Sequence, residues 1–237
     1  MVYGVRAALA LGAHRPRAIR RVLHSKLIRK SIGPLLKATA AQKKPYREVE
    51  TDHLDRVAGT PHHEGVVVVS APLLTYPFGT QQDKLRNANA LVAVDNVTNP
   101  HNLGAILRSM AWFGAEALLT NDPQTAVNAA TIRVSQGGAE LIPVIRCQDL
   151  ARVLQSLGES GMITIAGDQR ANQSLANFHD QPTCIVLGNE GQGISNAVRK
   201  ACNKRVRIPG AGGVESLNVA VAAGIMLAAT VPNLPPA

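Results

Sequence analysis

Apolar and polar positions fall into two regimes that meet near residue 90. Before that point the pattern is uneven. Val2 to Leu11 reads as a short helix, and Ala18 to Leu27 places Ile19, Val22, Leu23 and Leu27 at helical or mixed spacing. Gly33 to Ala41 predicts another helix; Tyr46 to Val49 and Gly65 to Ser70 predict strands, the second carrying four consecutive valines. Together, residues 1–70 make a small α/β unit. Residues 71–89 hold two prolines, a glycine and several polar residues, the pattern of an inter-domain linker. From residue 90 to 237 strands and helices alternate, which predicts an α/β domain with a mostly parallel sheet covered on both faces. The strands are Leu91 to Asp95, Ala117 to Leu119, Leu141 to Ile145, Met162 to Ala166, Thr183 to Leu187 and Val206 to Ile208. The helices are Asn102 to Phe113, Thr125 to Val134, Asp149 to Ser160, Ser195 to Lys204 and Ser216 to Ala229.

Charge separates the same two regions. Residues 1–47 hold 12 Lys and Arg and no Asp or Glu, while residues 87–237 balance 10 basic against 10 acidic side chains. A one-sided field of this kind suits a phosphate backbone, and Arg15, Arg17, Arg20, Arg21, Lys26, Arg29 and Lys30 are the expected nucleic-acid contacts. With aromatic residues at only 3%, recognition would lean on charge and shape rather than base stacking. Cys147, Cys184 and Cys202 are widely spaced and odd in number, which predicts buried, reduced thiols in the cytoplasm rather than a disulfide framework. No apolar run is long enough to span a bilayer. Prolines and a glycine interrupt the basic N-terminus, which argues against a transit peptide. His62 and His63 read as surface or turn residues, His101 has no partner at ligand spacing, and no metal site is expected.

Three loops that follow predicted strands carry the candidate chemistry. The first, Asp95 to Arg108, holds Asn102, Gly104 and Arg108; the second, Leu187 to Ser195, encloses Glu190 among glycines. In the third, Pro209 ends a strand, four of the next five residues are glycine or alanine, and Ser216-Leu217-Asn218 precedes an apolar helix, with Ser216 read either as an N-cap before a core helix or as part of a ligand site. A dinucleotide fingerprint fails, because the second loop reads G-x-x-G-x-G and the third has Glu215 where the last glycine belongs. No G-K-[ST] triplet or nucleophile elbow occurs. What remains suits an adenosine-type cofactor held by backbone, beside an arginine able to meet a phosphate.

N-P-H-N-L-G-A-I-L-R (Asn99 to Arg108), L-G-N-E-G-Q-G-I-S (Leu187 to Ser195) and I-P-G-A-G-G-V-E-S-L-N-V-A-V-A (Ile208 to Ala222) resemble motifs one, two and three of the SpoU/TrmH branch of the SPOUT RNA 2′-O-ribose methyltransferases. The subgroup most resembled is that of uncharacterised tRNA/rRNA methyltransferases. The N-terminal part is similar to the family's small RNA-binding domain; its opening Val2-Tyr3-Gly4 directly follows Met1, which leaves open a natural N-terminal extension. The resemblance implies a SPOUT domain with a deep trefoil knot, and a homodimer whose sites borrow from both subunits. It implies S-adenosylmethionine as cofactor and an rRNA or tRNA substrate. It assigns catalysis to Asn102, Arg108, Glu190, Ser216 and Asn218, and cofactor binding to Leu187, Gly188, Asn189, Gly191, Ile208, Gly210 and Leu217. Many relatives have methionine at the position of Gly210 and serine at that of Ala220.

An S-methyl sulfonium is already activated, so such a site chiefly aligns an in-line displacement. Arginine is a weak base at its usual pKa, so Arg108 needs help from substrate phosphate or acts electrostatically. Two alternatives stand beside ribose methylation: a non-catalytic RNA-binding module on the same fold, and a base methyltransferase of the same superfamily.

Overall fold

In the computed structural model, which describes residues 1–175, 178 and 181–231, the first 70 residues assemble around one strand. They form β1 (Val2–Tyr3), α1 (Val5–His14), β2 (Ile19–His24), α2 (Gly33–Ala41), β3 (Tyr46–Glu48), α3 (Thr51–Ala58) and β4 (Val66–Ser70). The four-stranded sheet has the order β1-β4-β2-β3. Alternation along β4 sends Val66 and Val68 into the core with Leu11 and Leu35 of α1 and α2, and sends Val67 to the other face against Leu54 of α3. Both faces are covered, which is why the strand reads as an unbroken valine run.

Ala18 to Leu27, whose spacing reads as helical or mixed, contains β2, antiparallel to β4. A register shift between Ile19 and Arg21 inserts an extra residue, so Ile19 and Val22 share a face although they are three apart. The bulge thus imitates helical spacing. The N-terminal helix begins later than expected, because Val2 and Tyr3 pair with Val68 and Val67 first. His63, expected at the surface or in a turn, lies in a turn but is buried; its Nε2 lies 2.9 Å from Asp55 Oδ1, and Gly65 N donates to its Nδ1 at 3.0 Å.

The second part contains β5 (Thr75–Pro77), α4 (Phe78–Arg86), β6 (Ala90–Asp95), α5 (Pro100–Phe113), β7 (Ala117–Thr120), α6 (Pro123–Ala126), α7 (Ala129–Val134), α8 (Gly138–Leu141) and β8 (Val144–Arg146). It continues with α9 (Leu150–Glu159), β9 (Ile163–Gly167), β10 (Gln173–Ser174), β11 (Thr183–Gly188), α10 (Asn196–Ala201), β12 (Lys204–Arg207) and α11 (Val219–Thr230). Its sheet, ordered β10-β12-β9-β11-β6-β7-β8-β5, is parallel at every pairing. In β6, Ala90, Val92 and Val94 face the core shared with α5 and α11, while Leu91 and Ala93 face α4, α9 and α10.

The stretch expected to be a linker is structured: β5 is the edge strand beside β8, and Leu85 of α4 enters the core. Prolines 72 and 77 mask a strand of three residues, too short for its pattern to register. The helix expected over Thr125 to Val134 is two, because Asn128 caps a fresh start by accepting from Thr131 N at 2.8 Å. Gly138–Leu141 is a helical turn, so the strand expected from Leu141 begins at Val144.

The two parts share one hydrophobic core, in which Val2, Leu11 and Leu35 belong with Leu103, Ile106 and Leu107 of α5. Arg15 Nε reaches Glu140 Oε2 at 2.6 Å and its Nη2 reaches Oε1 at 3.0 Å, bracing α1 against α8. After β11 the chain runs through α10 to β12, beyond β9, and then returns so that α11 packs against α5 and β11 on the opposite face.

Candidate active site

The carboxyl ends of β6, β9, β11 and β12 carry the loops of interest, as the rule for parallel sheets expects. Asp95, buried at the end of β6, fastens the first loop to the second: its Oδ2 accepts from Ser195 N at 2.8 Å. Its Oδ1 accepts from Asn96 Nδ2 at 3.1 Å, and Asn96 holds a left-handed conformation with φ 55°. Asn99 caps α5 by accepting from His101 N at 2.8 Å. Gly104 opens no space for a ligand. A Cβ there would sit 2.6 Å from Val134 Cβ and 2.8 Å from the Thr131 carbonyl, so its role is to admit α7.

The second loop closes on itself. Asn189 N donates to the Gly193 carbonyl at 3.1 Å and Gly193 N to the Asn189 carbonyl at 2.8 Å. Inside the ring, Asn189 Oδ1 accepts from Gly191 N and Gln192 N, at 2.9 and 3.1 Å. Its Nδ2 donates to the Asn96 carbonyl at 3.1 Å. A Cβ at Gly188 would run into the backbone of Gly193 and Ile194, so only glycine fits at this closure.

In the third loop the N-cap is Asn218, not Ser216: its Oδ1 accepts from Ala220 N at 2.9 Å and Val221 N at 3.3 Å. The cap also ties α11 to α5, because Asn218 Nδ2 donates to Asn102 Oδ1 at 3.0 Å while Asn102 Nδ2 donates to Glu190 Oε1. Three residues from three loops thus form one hydrogen-bonded chain.

This chain borders a cleft of about 460 Å³, within the range of small-molecule sites. Leu187, Gly188, Asn189, Gly191, Ile208 and Leu217, expected to bind cofactor, line it, as do Glu190 and Ser216. Gly210 does not line the cleft, and a Cβ there would meet nothing within 4 Å. Arg108 is exposed on α5, is not among the cleft's lining residues and has no hydrogen-bond or ion-pair partner among the described residues. Asp168 and Arg199 line the cleft unanticipated; only contacts between segments distant in sequence mark them. Asp95 had a visible signal, an acid ending the buried run Ala-Leu-Val-Ala-Val.

Of the basic residues assigned to RNA, Arg17, Arg20, Arg21, Lys26, Arg29 and Lys30 are exposed; Arg29 lies 3.7 Å from Glu48. Arg15 turns inward to Glu140 and to the Ala71 and Pro72 carbonyls. Among the described residues no three His, Cys, Asp or Glu side chains gather as a metal requires, and no helix is long and apolar enough to cross a membrane.

The sequence model for RNA 2′-O ribose methyltransferase substrate binding matches residues 1–76, and that of the SpoU rRNA methylase family matches residues 89–228. An uncharacterised tRNA/rRNA methyltransferase of Mycolicibacterium gilvum is 38% identical over 189 residues; the match covers 76% of this chain but 59% of that protein. The 23S rRNA (guanosine-2′-O-)-methyltransferase RlmB of Ralstonia nicotianae is 37% identical over 196 residues, which is 81% of this chain and 78% of that one. The crystal structure of the SpoU methyltransferase AviRb from Streptomyces viridochromogenes, in complex with AdoMet, superposes with a TM-score of 0.73 at 26% identity and covers 95% of this chain and 87% of that chain. With that model matched over more than half its length, the chain belongs to the SpoU rRNA methylase family.

Proposed function

We propose that the chain transfers a methyl group from S-adenosylmethionine to a ribose 2′-hydroxyl of a structured rRNA or tRNA. The observation that carries this reading is the Asn218–Asn102–Glu190 chain at the edge of a glycine-lined cleft. The Ralstonia relative bears a ribose 2′-O-methyltransferase name, and AviRb was solved with the cofactor. The residues present fit that cofactor. The cleft has the volume of a small-molecule site, Leu187 and Ile208 offer apolar surface, and the closed loop from Asn189 to Gly193 brings bare backbone to the wall. Bound S-adenosylmethionine supplies an activated methyl; the protein's task is alignment and management of the hydroxyl proton.

Glu190, held by Asn102, and Ser216 are assigned to orienting the acceptor ribose. Arg108 is assigned to lowering the cost of deprotonating the 2′-hydroxyl, coupled to a substrate phosphate. Arg108 lies six residues beyond Asn102, ~9 Å along the helix, and outside its own chain's cleft. A homodimer resolves this. Trp112 on α5 and Val221 and Ile225 on α11 are exposed beside small residues Gly224 and Ala228, an apolar face that suits a second copy. In that arrangement each cleft receives its arginine from the other subunit. The crossing of the chain between β11, β12 and α11 fits the trefoil knot expected of loops two and three. Residues 1–70 are assigned to RNA capture through Arg17, Arg20, Arg21, Lys26, Arg29 and Lys30, residues 90–237 to catalysis, and the free thiols suit the cytoplasm, Cys147 and Cys184 buried and Cys202, expected buried, half-buried.

The test is incubation with methyl-tritiated S-adenosylmethionine and deproteinised ribosomal and transfer RNA. Label in an RNA fraction is expected, lost in Arg108→Ala. Protein that binds the cofactor yet labels no RNA contradicts the enzyme and leaves an RNA-binding module.

A further inference from the structure

Asp168 follows β9 on the wall of the cleft, and its carboxylate collects contacts from two other segments and from its own loop. Its Oδ2 lies 3.5 Å from Arg199 Nε on α10 and 3.4 Å from Arg205 Nη2 on β12, and its Oδ1 accepts from Arg170 N at 3.0 Å. Arg199 in turn holds the cofactor-side loop: its Nη2 donates to the Ile194 carbonyl at 2.9 Å, and its Nη1 donates to Asn196 Oδ1 at 3.3 Å. The Asp168 side chain is 12% exposed and that of Arg199 29%, so solvent screens the pair only in part. Arg199 Nε is buried and has no hydrogen-bond partner among the described residues, leaving the ionic contact with Asp168 as its compensation.

We propose that Asp168 and Arg199 are positioning residues, a clamp that ties the loop after β9 to the loop after β11 and so sets the width of the cleft for the cofactor. This rests on the cofactor reading above. Both loops line the cleft, through Gly167 to Arg170 and through Asn189 to Ile194, and the Asp168–Arg199–Ile194 relay is a side-chain connection between them. The guanidinium is required for its shape as well as its charge. Its fork meets a carbonyl and a carboxylate at once, which an ammonium on a flexible stem does not do in one fixed geometry.

Calorimetric titration of the full chain with S-adenosylmethionine tests this, using Asp168→Asn, Arg199→Lys and the double variant, each checked for fold by near-ultraviolet circular dichroism. Each single variant is expected to raise Kd about tenfold, the worth of one hydrogen bond to a charged group, with kcat at saturating cofactor within about twofold of wild type. The double variant is expected to be no weaker than about twofold beyond the worse single, because the two side chains act as one unit. Should Asp168→Asn fail to fold, Arg199→Lys decides alone, since it keeps the charge and removes the fork. Single variants that bind like wild type, or losses that multiply in the double variant, overturn the clamp while leaving the cofactor reading intact. Wild-type protein that binds neither S-adenosylmethionine nor S-adenosylhomocysteine removes both.

Discussion

Gly188 is where the chain leaves β11 and the ring of the second loop closes above it, with no room for a Cβ against Gly193 and Ile194. Gly188→Ala should therefore force the ring open. The expected result is a loss of about 1–3 kcal/mol of stability, the usual cost of overpacking, with cofactor binding reduced far more. Thermal unfolding and calorimetry on one preparation would check both. The thiols give a second residue-scale prediction. Burial pushes Cys147 and Cys202 up to about 12, with nearby Asp95 adding to the shift at Cys202, and burial holds Cys184 well above the ordinary thiol range. Raised in the folded state, these groups favour folding below the ordinary thiol pKa near 8.5 and withdraw that contribution as pH climbs from there toward 12. Stability should be insensitive to the thiols at neutral pH and fall above about pH 9. At pH 8, iodoacetamide should label Cys147 and Cys184 only after denaturant is added; rapid labelling of the native protein would contradict their burial.

At the scale of elements, α11 is held at its start by an amide used twice. Asn218 Oδ1 caps the helix and its Nδ2 reaches Asn102. Asn218→Ala should cost about 1 kcal/mol, the worth of an N-cap. Asn218→Asp keeps the capping oxygen, loses the donor to Asn102 and brings a second carboxylate into the hydrogen-bonded chain of Glu190. It should unfold close to wild type yet lose at least about tenfold in methyl transfer, as an interaction with a charged neighbour would imply. Equal losses of stability and activity in both variants would deny the separate roles.

Elements also mark what the sequence makes legible. The helix α9 declares itself because one period dominates over enough residues, whereas α11 and the valine run of β4 declare themselves by unbroken apolar sequence. β2 conceals its type behind a bulge, and β5 is too brief to show a period at all. The three loops are legible through their glycines and asparagines. Their connections are not: Asp95 to Ser195, Asn102 to Glu190 and Asp168 to Arg199 join positions that no local pattern relates. The same limit explains Arg15, whose basic surroundings point to RNA while its partner, Glu140, lies 125 residues away.

For the whole molecule that pair is a brace between the two parts, beside the contact of Arg133 with Glu64 at 3.8 Å, and the Glu140 side chain is fully buried. Arg15→Ala would leave a buried carboxylate without its cation, so a loss of about 3 kcal/mol is expected in chemical denaturation. Arg17→Ala, on an exposed side chain, should leave stability unchanged and weaken RNA binding, reducing its salt dependence by about one counterion. The reverse pattern would move the RNA surface elsewhere.

The central claim is the acceptor atom, a ribose 2′-hydroxyl. RNA labelled by this protein from methyl-tritiated S-adenosylmethionine should be digested with alkali and its products separated by length. A 2′-O-methyl group blocks cleavage at its own linkage, so label is expected in alkali-resistant dinucleotides. Label recovered in mononucleotides would place the methyl on a base and contradict it.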